Sequence, residues 1–475
     1  MGNNKMPHIA VVGGGITGLS TAYHLMHTCE GVPPQVTLIE AGARLGGKIH
    51  TERFAGVPVD LGPEAFVARV PQVRALCAEL GLEEDLVAPA TGKTYLWTRG
   101  RLRPFPGGLV FGVPTSAGAI ARSGILSLPG VARAGLDLLL PQSDWPPDPS
   151  VAQVIESRFG REVVERLVEP LLGGIHAGRA DRLSLASVAP HLAVAAKRHR
   201  SLMRGLRSAQ PAGEAGSSPV LLTVTGGLER LVERLHTALA EVDIRTGTPV
   251  LSITPLPDGR YRLLCDSGSA VVADGVVLAV PSWAAADILR EVAPELATRL
   301  ASIAYASVVT VTLGYPTSAF PRPLHGSGFL VPRIDHHLLT ACTWCTSKWP
   351  HLRSSTAIIL RCSAGRWGDD RAFQLDDEAL IEQIHGELVQ SMGIRSHPNE
   401  WLITRWERAI PQYEVGHQAL VTEIESVLAN WPGIILAGAP YHGVGIASCI
   451  QDSKLAASLL QTHLARQATG SQCSY

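Results

Sequence analysis

What the sequence lacks narrows its function first. Its 41 Lys and Arg residues face 42 Asp and Glu, a net charge of −1, so no basic surface broad enough for nucleic acid is expected. Only eight cysteines occur in 475 residues, scattered without the density of a disulfide framework, which fits a reducing, cytoplasmic setting. Cys342 and Cys345 form a CxxC with no second pair at zinc-site spacing, so they read as buried thiols and no metal site is expected. No apolar run reaches the roughly 18 residues of a spanning helix. The first apolar run is short and ends in glycines, so no signal peptide is expected. The start MGNNKM lacks the Ser or Thr of a myristoylation signal. No Ser-His-Asp set, HExxH or paired-carboxylate motif announces itself, and no general base is assigned.

What is present is apolar and glycine-rich. With 46% hydrophobic and 17% charged residues the chain can bury a large core, and its length suits about three domain-sized units. The stretch HIAVVGGGITGLSTAYHL, residues 8–25, joins a β-branched strand to an apolar helix across Gly13, Gly15 and Gly18. That spacing suits a dinucleotide-binding turn, where the glycines permit the bend, the approach of a pyrophosphate and the packing of helix on strand. The helix N-terminus offers free N–H groups to the phosphates. VTLIEA, residues 36–41, ends a second strand at Glu40, about twenty residues on, where such sites keep an acid for ribose hydroxyls. GARLGGKIHTERF follows, with Gly46 and Gly47 between Arg44 and Lys48, a pairing suited to a second backbone approach to a diphosphate.

Texture changes mark the organisation. Residues 5–95 form a first αβ unit, 96–207 a helical region, 208–219 a linker or mobile loop, and 220–290 a return to nucleotide-domain patterns. Residues 291–400 are rich in strands, and 401–475 end in a strand, a loop and a long helix. DPSVAQVIESRFGREVVERLVEPLLGGI reads as two helices, the first capped near Asp148 or Ser150 and the second closed by Gly173 and Gly174. KRHRSLMRGLR places Arg200, Arg204 and Arg207 near one helical face, able to meet substrate carboxylates, an anionic membrane, a partner enzyme or only solvent. The interleaving implies a discontinuous nucleotide domain visited three times.

These pieces together resemble the flavin-dependent oxidases that aromatise porphyrinogens, most closely the Gram-positive type acting on coproporphyrinogen III. The most specific pieces are VVGGGITGLS, IEAGARLGGKI, DLGPEAF, VEPLLGGIHAG, KRHRSL, TACTWCTSKWPH, TRWERAIPQYEVGH and GVGIASCI. The resemblance implies an α/β, α+β multidomain fold: an FAD-binding domain of glutathione-reductase or amine-oxidase type, with an inserted substrate domain of sheet plus helical region. It implies cofactor contacts at Gly13, Gly14, Gly15, Ile16, Thr17, Gly18, Glu40, Ala41, Arg44, Gly47 and Lys48. It extends them to Gly62, Pro63, Glu64, Ala65 and Phe66, to Val250 at the adenine end, and to Trp406, Gly438, Val444, Gly445 and Ile446 by the flavin. Arg69, Ile175, His176 and Tyr441 become candidate substrate contacts. Where the Bacillus-type pattern has a further lysine after the arginine, this chain has Val70.

The implied reaction is an oxygen-dependent, six-electron oxidation of coproporphyrinogen III in haem biosynthesis, releasing hydrogen peroxide. Protoporphyrinogen IX is the alternative substrate. Amine oxidation, carotenoid desaturation and non-enzymatic flavin-fold binding are more distant readings. The implied partners are the porphyrinogen and oxygen, with contact to ferrochelatase and to the inner face of the membrane as further expectations.

Overall fold

The computed structural model describes residues 6–27, 33–209, 220–354 and 356–470. At its centre lies a five-stranded sheet built from β1 (His8–Val12), β2 (Gln35–Ile39), β3 (Asp243–Arg245), β4 (Gly275–Leu278) and β5 (Ile434–Leu436). The spatial order is β3-β2-β1-β4-β5 and every pairing is parallel. Parallel strands are covered on both faces, which is why β1 and β4 read as unbroken apolar runs. Helix α1 (Ile16–His27) follows β1 and packs against the terminal helix, sharing one core in which Leu19, Ala22, Ile446, Ala447 and Ile450 meet. The chain leaves β1 for β2 on one side and reaches β4 on the other, so a crevice opens at the C-terminal ends of the strands.

An antiparallel meander of Val250–Pro255, Tyr261–Cys265 and Ala270–Ala273 leads into β4. A second, seven-stranded sheet has the order Glu400–Pro411, Tyr305–Pro316, Ala357–Ala364, Leu339–Trp344, Gly328–Leu330, Thr94–Thr98, Arg101–Pro104. Two expected domain boundaries fall inside it. Thr94–Thr98 straddles residue 95 because it pairs in parallel with Gly328–Leu330, a partner far away in sequence. Glu400–Pro411 belongs to this sheet, not to the nucleotide unit, because it runs antiparallel along Tyr305–Pro316 from Glu400 to Pro411.

The helical region has its own core, and Ser150 opens the helix Val151–Phe159 with a reciprocal capping box to Gln153. The next helical run contains a π turn at Val164–Val168 and then α2 (Glu169–His176). Contrary to the expected stop at Gly173 and Gly174, α2 runs through both glycines and ends at Ala177, whose φ is 48°. The reason is packing: a Cβ on Gly174 would stand 3.3 Å from Leu330, so the glycine lets the second sheet lie close to the helix. The basic run is also divided. Ser201 caps a helix starting at Leu202, so Arg204 and Arg207 are helical, Arg200 lies in the turn before it, and Lys197 and Arg198 end the preceding helix, Pro190–Arg198. The expected linker begins at the helix end, Ser208, and its residues 210–219 lie outside the described residues.

The region is locked by an ion pair shut off from water. Arg158 donates Nε–H to Asp137 at 2.7 Å, and the two side chains are 1% and 0% exposed. Asp137 also accepts from the Ser201 hydroxyl at 2.7 Å and the Met203 N–H at 2.9 Å. Removing one partner strands a charge in the core, so Asp137→Ala should cost about 3–5 kcal/mol. Urea unfolding should register this as a lower midpoint at an unchanged slope.

Candidate active site

Three turns converge at the C-terminal ends of β1 and β5. The first follows β1. Gly13 has φ +106°, and a Cβ there would stand 2.5 Å from the Ala279 carbonyl oxygen. A Cβ on Gly18 would run into the Gly13 carbonyl oxygen, so only glycine lets α1 settle this close to its strand. Gly15, between them, has nothing within 4 Å of where its Cβ would be. The turn is thus closed at both ends and open in the middle, over the positive end of α1.

The second turn folds onto the first. The Gly46 N–H donates to the Gly14 carbonyl at 2.8 Å, and a Cβ on Gly47 would lie 3.2 Å from the Gly15 Cα. Arg44 is spent on holding this loop, donating to the carbonyls of Leu45, Gly47 and Ile49. Lys48, beside it, is exposed toward the crevice yet ringed by protein. That crowding lowers its pKa, against the opposing effect of the Cys449 thiol. Glu40 accepts the Gly14 N–H at 2.5 Å and the Gly42 N–H at 2.6 Å, one on each carboxylate oxygen. Thr248 donates its N–H to the Glu40 carbonyl, which brings the strand beginning at Val250 alongside. Ala41 is exposed next to them.

The third turn precedes the terminal helix, α4 (Ile446–Gly470), which with α3 (His417–Leu428) flanks it. Gly438 has φ +115° and sits against Thr17 of α1. Gly445 is exposed with nothing within 4 Å of a Cβ, while Val444 packs on the helical region and Ile446 enters the first core. Two helix N-termini, those of α1 and α4, therefore border one crevice.

The DLGPEAF loop closes the crevice toward the second sheet. A Cβ on Gly62 would run into the Lys48 carbonyl, and the Trp406 ring lies 3.6 Å from that same point. Trp406 donates its indole N–H to the Leu61 carbonyl at 3.3 Å. Glu64 pairs with Lys348 and lies 3.7 Å from Arg361, whose guanidinium also donates to the Asp60 and Gly62 carbonyls. Burial alone would raise the Glu64 carboxyl, but Lys348 and Arg361 outweigh it and hold its pKa at about 2. Pro63 and Ala65 are half-buried beside it. Phe66, expected to line the cofactor, is 2% exposed in the first core because it pairs with Leu222 in a small sheet.

The expected substrate contacts separate into two pairs. Ile175 is 48% exposed on α2, and Arg69 is exposed near His191, whose pKa falls through burial and then through Arg69. His176 and Tyr441 require correction, being 6% and 5% exposed and therefore core residues, not walls of an open slot. Burial pushes the His176 imidazole down to about 4 and raises the Tyr441 phenol. On α2 the exposed position goes to Ile175, beside His176, because successive residues of a helix turn by about 100°. Sequence reasoning missed Lys348, Arg361, Tyr413 and Asp452. Lys348 and Tyr413 lay inside quoted motifs, while Arg361 and Asp452 had no signal short of the tertiary pairing.

The glycines make separable predictions. Gly18→Ala should prevent native folding, whereas Gly15→Ala should melt within about 1 kcal/mol of wild type while binding a dinucleotide less tightly. Thermal denaturation and dinucleotide titration check both. The depressed Glu64 pKa contributes stability that is complete above its ordinary 4.5 and is lost as pH falls through about 2. Urea midpoints from pH 5 downward should therefore drop in wild type, and this component should be missing in Glu64→Gln.

Comparison with known proteins agrees with this geometry. The family model for flavin containing amine oxidoreductases matches residues 16–461. The coproporphyrinogen III oxidase of Bacillus subtilis (strain 168) is 36% identical over 96% of this chain and 98% of its own length. The protein of that name from Mycobacterium leprae (strain TN) is 36% identical over 96% of this chain and 98% of its own. A crystal structure from Exiguobacterium sp. 255-15, provisionally named a protoporphyrinogen oxidase, superposes with a TM-score of 0.85 at 33% identity, covering 96% of this chain and 99% of that one. The chain belongs to the flavin-containing amine oxidoreductase family, in the group of the bacterial proteins named for porphyrinogen oxidation.

Proposed function

We propose that the protein is an FAD-dependent coproporphyrinogen III oxidase of haem biosynthesis. It would remove six electrons and six protons from the macrocycle and pass them to three molecules of oxygen, giving coproporphyrin III and three of hydrogen peroxide. The observation that carries this reading is the near end-to-end likeness to the bacterial enzymes of that name. A dinucleotide, in preference to a mononucleotide, is supported by the glycine spacing after β1 and the acid at the end of β2. Glu40 and Val250 stand at one end of the crevice, the open turn at Gly15 in the middle, and the N-terminus of α4 at the other.

When bound, FAD would supply the hydride acceptor, which oxygen returns to its oxidised form. The chain's own part is positioning and charge. The free N–H groups at the start of α4 offer a positive dipole end where negative charge gathers on reduction. Gly15 and Lys48 would receive the diphosphate. Arg69 would hold a propionate by a charge-assisted hydrogen bond, and Ile175 would present an apolar face to the ring. Buried and neutral, His176 is given no part in proton transfer.

The same proposal includes contact with ferrochelatase and with a membrane surface. Leu128 and Leu139 of the helical region, 87% and 74% exposed, support a membrane-facing side. Among the described residues no helix is long and apolar enough to cross a membrane.

Anaerobic addition of coproporphyrinogen III should bleach the yellow protein, and air should then yield fluorescent porphyrin. A large preference for protoporphyrinogen IX would overturn the substrate assignment, and an unbleached flavin would overturn the activity. Arg69→Ala should raise KM for the tetracarboxylate about tenfold with little change in kcat, measured by porphyrin fluorescence.

A further inference from the structure

We propose that His442 is a proton-operated clasp on the loop before α4, and that its charge sets how tightly the chain holds flavin. The inference rests on the flavin reading above and goes beyond it, to a residue of this chain that the cofactor assignment did not include.

The loop 438–443 hangs from two side chains, each holding it twice. Tyr413 donates its hydroxyl to the Ala439 carbonyl at 2.6 Å and accepts the Gly443 N–H at 2.6 Å. Asp452, on the first turns of α4 and only 6% exposed, accepts the Gly438 N–H on Oδ2 at 2.6 Å. Its Oδ1 lies 2.8 Å from Nδ1 of His442, and Glu425 of α3 faces the other ring nitrogen, Nε2, at 3.4 Å. An imidazole with a carboxylate on each nitrogen satisfies both only as the imidazolium, which donates from both. His442 thus bridges α3 to α4 through the loop that ends at the exposed Gly445.

The two holds answer differently to pH. Burial raises the Tyr413 phenol, so its grip is constant across the neutral range. Also near His442 lies His417, pushed down to about 4 and neutral there. The hydrogen bond to Asp452, opposed by partial burial and helped by Glu425, raises the His442 pKa above the ordinary 6.5. The clasp is therefore complete below 6.5 and opens as pH rises through the raised value. Opening leaves the ring a single N–H, enough for one of the two carboxylates, so the bridge from α3 to α4 is broken and a positive charge beside the α4 N-terminus is removed.

The test is FAD titration of the full chain, followed by flavin fluorescence across pH 6–9, with midpoint potentials of the holoenzyme measured alongside. Wild-type affinity should fall about fivefold across the inflection. His442→Gln should be flat at the weaker level, and His442→Arg, a permanent cation, flat nearer the tighter one. Glu425→Gln should move the inflection to lower pH. The potential difference between wild type and His442→Gln should shrink with pH, a comparison that cancels proton uptake common to both. A wild-type inflection that persists in His442→Gln, or a pH-independent wild type, would overturn the clasp. Loss of thermal stability in His442→Gln with an unaltered affinity profile would also overturn it. No FAD binding at any pH would overturn the flavin reading instead.

Discussion

The approach of Gly18 to the Gly13 carbonyl is the contact on which the crevice depends. It lets α1 start directly above the end of β1, with its first N–H groups unspent. Any side chain at either position would lift the helix away. The second glycine turn could not then dock, because its anchor is the Gly14 carbonyl, held at 2.8 Å from the Gly46 N–H. Nor would Gly438 meet Thr17, through which the terminal helix is registered against the first. One backbone contact thus propagates into three turns that come from opposite ends of the chain. The open space over Gly15 is what remains when the surrounding backbone is packed this tightly.

A second constraint joins the two sheets. Glu64 sits in the loop that faces the crevice, while Lys348 and Arg361 come from the seven-stranded domain. Arg361 also ties down the carbonyls of Asp60 and Gly62, so the loop is gripped by backbone and side chain at once. Nearby, Asp60 is pushed up to about 6 by burial, although the Thr51 hydroxyl and the Leu228 N–H both favour its ionised form. Buried charge of this kind is costly unless every member is paired. Its use here is geometric, since it holds the loop at one distance from Lys48 and Trp406.

Local sequence made the nucleotide half legible because its determinants are local. The strand, the glycine spacing, Glu40 and the second glycine pair fall within about forty residues and obey steric rules that need no tertiary partner. The long helix that closes the chain was visible in the same way, from its own local pattern. What could not be read were pairings across long separations. Thr94–Thr98 meets Gly328–Leu330, and Glu400–Pro411 meets Tyr305–Pro316, so the expected boundaries at 95 and 400 cut through a continuous sheet. Gly173 and Gly174 looked like a helix stop because a glycine in a helix is intrinsically unfavourable. Close packing on Leu330 reverses that preference. At the site, exposure decided between neighbours: Ile175 faces out and His176 in, and only the phase of α2 distinguishes them.

The absence of an obvious acid or base in the sequence acquires a physical reason from the burial of the candidates. His176, with its pKa lowered to about 4 by burial, is neutral across the neutral range, and its side chain is enclosed. Tyr441 is equally enclosed and its phenol is harder still to ionise. What borders the crevice instead are fixed dipoles, the N-termini of α1 and α4, with Lys48 in the second glycine turn beside them. Such groups need no reorganisation when charge develops beside them, because the fold has already oriented them. A site built this way places its selectivity in distance and orientation. That explains why so many of its determinants are glycines, and why Asp452, Tyr413 and Arg361 act by holding backbone while Glu64 anchors Lys348 and Arg361.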